Sequence, residues 1–373
     1  MNEPKTISFS GKLLATMKKD GTVPKAVLCE LRNFANKVMS EPTLKVTDRK
    51  MQALSGNIHD YCSIGTYWWP NPDTPDGLPY IRKDGVTNPL AKDPVSYENM
   101  TINVLYLALA AYYFDDKNFA KASVKAIYDW FLNPETYMTP HGDYSQAIPG
   151  ICDGRGIGIV DFRFSYNVFD AVAILESMNM IDENTVNELK VWFSKFADWL
   201  LTSKNGLEED IEPNNHGTWY DVQVLAIAAF TGREALFKNV YSQCYTRRFR
   251  AHIRPDGSQP HELTRTMAMV YSLANLRALT VITNIAVQMG YTELLAEDEY
   301  YGTNATKKAL DYIIPYATNP QTFPYKEIGY QVVPERILRM LLRFDARYPN
   351  EGYAEKAKIF NKEPHLWLAL PLV

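Results

Sequence analysis

Apolar residues recur every three to four positions along most of the chain, which is the spacing of one face of an α-helix. The strict alternation of apolar and polar residues that marks a half-buried strand is rare. The pattern predicts helices joined by short polar connectors, over residues 24–39, 97–114, 118–132, 166–178, 183–202, 216–230, 234–252, 261–288, 303–316 and 334–348.

So many helices in succession favour a toroid of helix pairs or a solenoid over a four-helix bundle. The sequence has no repeat of fixed period, which disfavours a regular solenoid. We therefore predict an all-α fold and treat residues 1–373 as a single domain.

Residues 59–94 interrupt the helical pattern with a stretch rich in Pro, Gly, Asp and Asn. A loop of this length is usually a functional lid or a disordered linker. Tyr67, Trp68, Trp69 and Tyr80 lie in this stretch, and disordered segments are poor in aromatic residues. We predict an ordered lid or cleft wall.

Composition narrows the possible partners. The net charge is -4 with acidic and basic residues intermixed, so the chain offers no basic stripe for nucleic acid. No run reaches the ~18 apolar residues of a membrane span.

The four cysteines lack the spacing of a zinc site, and we expect no metal and no cofactor. Aromatic residues make up 13% of the chain, and their flat rings can stack on sugars or pack a core.

The helix predicted over 216–230 follows two asparagines and begins with polar and aromatic residues, in the sequence NNHGTWYDVQ. On a helical wheel, Trp219, Tyr220 and Gln223 fall on the side of His216. One asparagine can cap the helix, so the pair has a purely structural explanation. The alternative is that this end of the helix projects into a cleft.

The helix predicted over 261–288 carries a polar stripe about 120° wide. Arg265 and Tyr271 lie at the two edges of this stripe. Outer surfaces favour Lys and Glu, and the stripe has neither, so we expect it to face a cleft. Its members are His261, Thr264, Arg265, Ala268, Tyr271, Ser272 and Asn275.

Asn, His, Arg and Tyr side chains suit β-elimination in a uronic acid polymer better than they suit hydrolysis. Hydrolysis of a glycoside normally needs two carboxylates, and neither polar stripe supplies a pair. Elimination needs the substrate carboxylate to be neutralised, which Arg and Asn can do. It also needs a base for the C5 proton and an acid for the leaving O4, which His and Tyr can provide. A neighbouring arginine is expected to lower the pKa of the tyrosine.

Three motifs together resemble the alginate lyase superfamily of helical toroid polysaccharide lyases: YWWPNPDTPDGLPYIRKDG, NNHGTWY and HELTRTMAMVYS. The resemblance extends from about residue 56 to residue 348. It implies an (α/α) toroid, often an incomplete helical barrel, with a lid loop across the cleft. It also implies cleavage of an acidic polysaccharide, alginate first, by metal-independent β-elimination that leaves 4,5-unsaturated uronate ends.

The resemblance implies that the catalytic residues of the family correspond to Asn215, His216, Arg265 and Tyr271. Asn215 and Arg265 would neutralise the substrate carboxylate. Tyr271 would be the general acid, and also the base where the C5 hydrogen and O4 are syn. His216 would be the base where they are anti. Arg265 and Tyr271 are six positions apart, one fewer than in the best-known members of this fold.

Further residues are candidates for substrate contact on the lid, on the glycine-rich stretch 141–163 and on the two polar helices. They are Tyr67, Trp68, Trp69, Arg82, Gln146, Arg155, Arg163, Tyr220, Gln223, His261 and Asn275. The family also implies a location in the periplasm or outside the cell. We expect the protein to be a monomer.

Two other functions remain open. A glycoside hydrolase on an (α/α) toroid would need carboxylates in the cleft, and Asp60, Asp161 or Asp221 could supply them. A non-catalytic glycan-binding protein would bind oligosaccharide without turnover and would tolerate the loss of Tyr271.

Overall fold

The computed structural model describes residues 3–360 and 365–372, and helices dominate this part of the chain. The α-helices are α1 Gly11–Asp20, α2 Lys25–Ser40, α3 Tyr97–Phe114, α4 Lys117–Phe131, α5 Tyr166–Ser177, α6 Glu183–Thr202, α7 Lys204–Asp210, α8 Asn215–Thr231, α9 Glu234–Cys244, α10 Pro260–Leu263, α11 Ala268–Gln288, α12 Ala305–Thr318, α13 Val333–Arg347 and α14 Tyr353–Ala357. Each segment predicted to be helical contains a helix, so the all-α class is confirmed. The short helices α1, α7 and α14 were not predicted.

The helices form an inner and an outer layer around a ring. Contacts between α3 and α5, α5 and α8, α8 and α11, and α11 and α13 define the inner layer. The outer layer packs on it through the pairs α3 with α4, α8 with α9, α11 with α12 and α13 with α14. This alternation is the (α/α) toroid predicted from the sequence.

The hydrophobic pattern of each helix matches its layer. The inner helices α8 and α11 are apolar on nearly all sides and are buried along most of their length. A helix that is apolar all round belongs in a core. Helix α11 is long and apolar enough to cross a membrane by length and composition, but 78% of its most apolar window is buried inside the protein.

Short strands order the predicted lid. Strand β1, Cys62–Ile64, pairs in parallel with β4, Tyr144–Ala147, and β2, Trp68–Trp69, pairs antiparallel with β3, Ile81–Arg82. The turn after β3 reaches the loop that precedes α13. There a Cβ on Gly85 would lie 2.1 Å from Cδ1 of Ile328.

Two predicted helices are not regular throughout. Helix α9 continues into a π-helical segment, Tyr245–Arg250. The helix predicted over 261–288 is broken between α10 and α11, because residues 266–268 pair with residues 326–328 instead of continuing the helix. Glu327 caps α11 by accepting hydrogen bonds from the backbone N–H groups of Met269 and Val270, at 2.7 and 3.0 Å.

Candidate active site

A cavity of about 560 Å³ lies between the lid and the inner layer of helices. Asn215 and His216 reach it from the start of α8, and Tyr271 reaches it from the first turn of α11. Arg265 reaches it from the segment between α10 and α11. The structure thus brings the four proposed catalytic residues into one cavity.

Asn215 is held by a buried carboxylate. The N-cap of α8 is Asn214, whose side chain accepts the backbone N–H of His216, so Asn215 is free for another role. The carboxylate of Glu262 accepts the backbone N–H of Asn215 at 2.6 Å and lies 3.0 Å from Nδ2 through both of its oxygens. A single side-chain N–H directed between the two oxygens accounts for both contacts. The second N–H of Nδ2 then remains for a ligand.

His216 is oriented by a second buried carboxylate. Its Nδ1 lies 2.9 Å from Oε1 of Glu209, whose side chain is fully buried at the end of α7. Nε2 is therefore the ring nitrogen left for the cavity. Burial alone would lower the pKa of His216, but the charge and hydrogen bond of Glu209 raise it, and the net direction is upward.

A buried ion-pair network fixes the chain just before these two residues. Arg248 donates to Oδ2 of Asp221 at 2.8 Å and to the carbonyl oxygens of Asp210 and Glu212, at 2.7 and 3.2 Å. Gly217 permits this approach, since a Cβ there would lie 2.4 Å from Nη1 of Arg248. The π-helical segment that carries Arg248 therefore supports the start of α8.

The contact between Arg265 and Tyr271 is not the one that the helical wheel predicts. They lie on different sides of the helix break, and the guanidinium of Arg265 sits 4.1 Å from the centre of the Tyr271 ring. The prediction of one continuous polar helix face is therefore wrong. The spacing of six residues is compatible with a shared site because Arg265 is not on α11.

Tyr271 also contacts the lid. Its hydroxyl is 2.9 Å from the hydroxyl of Tyr67, which follows β1. Burial raises the pKa of Tyr271, the hydrogen bond with Tyr67 raises it further, and the lowering by Arg265 is smaller. Arg265 does lower this pKa, as expected, but burial and the hydrogen bond with Tyr67 outweigh it, so the net direction is upward. Tyr271 is consequently protonated at neutral pH.

Six of the eleven further candidates lie in the cavity. Its lining includes Tyr67, Trp68, Arg82, Gln146, Arg155 and Arg163. Gln146 has a φ of 50°, a left-handed conformation that is unfavourable for a non-glycine residue and often marks functional sites. Arg155 stabilises it by donating to the Gln146 side chain and carbonyl oxygens at 3.0 and 3.1 Å.

The other five candidates do not line the cavity. The hydroxyl of Tyr220 donates to the carbonyl of Leu200, and Gln223 is buried in the turns of α8. Asn275 is buried against Thr218 and Gln259, His261 is exposed elsewhere, and Trp69 donates to the carbonyl of Val86. The helical wheel misplaced the four that lie on helices, since the polar side of a core helix can bond to neighbouring helices instead of facing a cleft.

Several residues of the site were not predicted from the sequence. They are the two carboxylates Glu209 and Glu262 and three arginines that line the cavity from α11 and α13, namely Arg277, Arg336 and Arg339. The sequence did contain a signal for the arginines of α13. On this helix Arg336, Arg339, Arg343 and Arg347 recur every three to four positions, which places them on one face. In total the cavity lining contains seven arginines and two glutamates.

The carboxylates considered for hydrolysis lie elsewhere. Asp221 is paired with Arg247 and Arg248, Asp161 accepts the hydroxyl of Ser63, and Asp60 accepts from Ser55. None of the three lines the cavity. Within residues 3–360 and 365–372, no three His, Cys, Asp or Glu side chains are grouped closely enough to hold a metal ion.

Comparison with known proteins agrees with this geometry. Residues 45–323 match the alginate lyase family. The fold is similar to the crystal structure of an alginate lyase from Bacteroides ovatus, with a TM-score of 0.91, 34% identity and 98% of each chain covered.

A more distant likeness is to alginate lyase A1-III from Sphingomonas species A1, with a TM-score of 0.53, 16% identity, and 91% of this chain and 92% of that chain covered. A variant of alginate lyase A1-III complexed with a tetrasaccharide has a TM-score of 0.65 at 16% identity, over 93% of this chain and 88% of that chain. At this identity the likeness shows a shared fold. No curated protein matches the sequence.

Proposed function

The chain belongs to the alginate lyase family of polysaccharide lyases, and from this premise we propose that it cleaves alginate by β-elimination in the cavity lined by Asn215, His216, Arg265 and Tyr271. The observation that carries the proposal is the charge of this cavity. Seven arginines and two glutamates line it, in a protein whose net charge is -4. Such a concentration of guanidinium groups suits a chain of carboxylates.

The first step is neutralisation of the carboxylate on the sugar that loses its C5 proton. Arg265 supplies a positive charge, and Asn215 supplies the N–H that Glu262 leaves unused. Together they stabilise the negative charge that develops when the proton leaves, and both are already fixed before substrate binds. Such donors typically contribute about 10²–10³ in rate.

The proton transfers use the two groups whose pKa values the site raises. Tyr271 is protonated at neutral pH and donates to the leaving O4. The C5–H bond breaks, the C4–C5 double bond forms, and the C4–O4 bond breaks with its electron pair on O4.

The base depends on stereochemistry. His216, in its neutral form, accepts the C5 proton through Nε2 where this proton and O4 are anti, as in guluronate. Where they are syn, as in mannuronate, Tyr271 first gives its own proton to solvent water as substrate binds, which must overcome the effect of burial on its pKa. The phenolate then accepts the C5 proton and passes it to the leaving O4.

The proposal also includes a monomer that acts in the periplasm or outside the cell. The four proposed catalytic residues and the arginines around them line one cavity of a single chain, which is compatible with a monomer. Sedimentation of the purified protein tests the monomer, and fractionation of cells that produce it tests the location.

The direct test is to offer purified protein polymannuronate, polyguluronate and glucuronan in the presence of EDTA. We expect ultraviolet absorbance from 4,5-unsaturated ends with at least one of the two alginate blocks. Loss of this signal in Tyr271→Phe would link it to the cavity. New reducing ends without the absorbance would contradict the proposal in favour of hydrolysis.

A further inference from the structure

One part of the cavity has no role in the elimination described above. Arg277 on α11 and Arg336 and Arg339 on α13 line it together, and we call these three residues the arginine pocket. Arg277 is six residues beyond Tyr271 on the same helix, which is ~9 Å along its axis at 1.5 Å per residue. Arg277 is thus displaced along α11 from the catalytic tyrosine, whereas Arg336 donates to the carbonyl of Val270 and lies at the end of the pocket nearest Tyr271.

The arginine pocket has no carboxylate partner. Among the residues that the structure describes, none of its three members forms an ion pair. Arg277 donates to the hydroxyl of Tyr166 at 3.4 Å, and Arg336 donates to the carbonyl of Val270 at 3.2 Å. A guanidinium has five N–H donors, so most of them remain available.

The two glutamates of the cavity do not alter this balance. Glu98 is engaged by Arg163, with Nη2 at 2.6 Å. Glu335 lines the cavity beside Arg336, and its side chain is exposed. Of the two glutamates, only Glu335 is left to offset the charge of the three arginines.

Aromatic rings hold Arg277 and Arg339 through their flat faces. Arg277 lies 4.6 Å from the centre of the Phe164 ring and 6.0 Å from that of Trp219, and Arg339 lies 5.5 Å from that of Trp367. Such stacking fixes a guanidinium without using its N–H groups. The edges of the arginines are left as donors for a planar anion.

The clustering of these charges is unfavourable without an anion. Burial and then the charge of Arg277 lower the pKa of Arg339 to about 10, and the same two causes lower the pKa of Arg336. The groups still carry their protons at neutral pH. A bound anion would relieve this repulsion.

We propose that Arg277, Arg336 and Arg339 form a second carboxylate-binding subsite, which holds the acid group of a uronate unit other than the one that undergoes elimination. This inference rests on the proposed function, because a uronic acid polymer brings a regular series of carboxylates into the cavity. The subsite makes the enzyme select runs of charged sugars over chains in which charged and neutral sugars alternate.

The kinetic test compares Arg339→Gln and Arg336→Gln with Arg347→Gln on polymannuronate or polyguluronate, whichever the wild type cleaves. Arg347 lies on the same helix but outside the cavity lining, and it donates to Oδ1 of Asn284 at 2.8 Å. We expect the first two variants to raise KM about ten- to a hundredfold with little change in kcat, which is the size of a lost hydrogen bond to a charged group. Arg347→Gln should keep the wild-type KM.

A binding test without turnover separates this inference from the proposed function. Tyr271→Phe is mixed with saturated uronate trisaccharide, and the rise in thermal unfolding temperature is measured with and without Arg339→Gln or Arg339→Lys. We expect the rise to disappear with Gln and to be partly retained with Lys, which keeps the charge but not the planar fork.

Three results would overturn the inference. They are an unchanged KM in both glutamine variants, an unchanged thermal shift, or an equal shift from inorganic sulfate, which would make the pocket a general anion site. Absence of unsaturated ends from the wild type would instead contradict the proposed function, and the thermal shift would still report on the subsite.

Discussion

The polar side chains at the start of α8 and those on the cavity face of α13 differ in whether the protein supplies carboxylates that bind them. At the start of α8, Asn215 and His216 each bond to a buried carboxylate, Glu262 and Glu209. On α13, Arg336 and Arg339 line the cavity, and neither forms an ion pair within the part of the chain that the structure describes. Groups that act on protons and on developing charge are thus fixed in advance, whereas groups that would bind substrate keep their donors open for it.

The largest expected effect comes from Tyr271→Phe, which removes the hydroxyl and leaves the ring under Arg265. We expect kcat to fall by about 10²–10⁴, the usual contribution of a general acid or base. The measurement is the initial rate of formation of unsaturated ends. A residual rate within a few fold of the wild type would mean that Tyr271 transfers no proton.

The next effect comes from Asn215→Ala, which removes a donor while Glu262 keeps its contact with the backbone N–H. We expect a fall in kcat of about 10²–10³, because the lost donor acts on charge that develops in the transition state. Tyr220→Phe is the matched control, since its hydroxyl bonds to Leu200 outside the cavity. A large rise in KM with unchanged kcat would place Asn215 in substrate binding alone.

A shift in pH dependence is expected from Glu209→Gln, which keeps a hydrogen-bond acceptor at Nδ1 of His216 but removes the charge. Glu209 raises the pKa of His216, so its replacement lowers that pKa. A base acts when it is unprotonated, so the acidic limb of kcat/KM on polyguluronate should move to lower pH. Polymannuronate is the control, because His216 is not its base. A limb that stays in place, or a loss of activity at neutral pH, would argue that His216 acts as an acid.

The smallest effect is expected from Tyr67→Phe. The hydrogen bond of Tyr67 raises the pKa of Tyr271, so its removal should ease deprotonation of Tyr271 and shift the activity on polymannuronate to lower pH. The change in rate should stay within about tenfold, the scale of one neutral hydrogen bond. A loss as large as that of Tyr271→Phe would show that Tyr67 itself takes part in proton transfer.

Periodicity predicted the helices well because most of their apolar faces pack against neighbours in the ring. It failed at residues 264–267, where no Pro or Gly marks a break and the interruption depends on residues 326–328, some sixty positions away. Local pattern carries no information about such a partner.

Motifs identified four residues that the structure brings into one cavity, whereas the surroundings of these residues could not be predicted. Glu209 lies in the acidic run EED and has no local feature that distinguishes it from a surface residue. The arginines of α13 look like a solvated face, since a charged helix face predicts contact with water but not whether that water fills a cleft. The tertiary packing of α13 beside α11 decides this.

The central claim is elimination, and the most direct measurement is digestion of an alginate oligosaccharide in water labelled with heavy oxygen, followed by mass spectrometry of the products. Elimination adds no water across the cleaved bond, so the account predicts an unsaturated product whose mass is unaffected by the label. Incorporation of one labelled oxygen per cleavage, with no unsaturated ends, would contradict it.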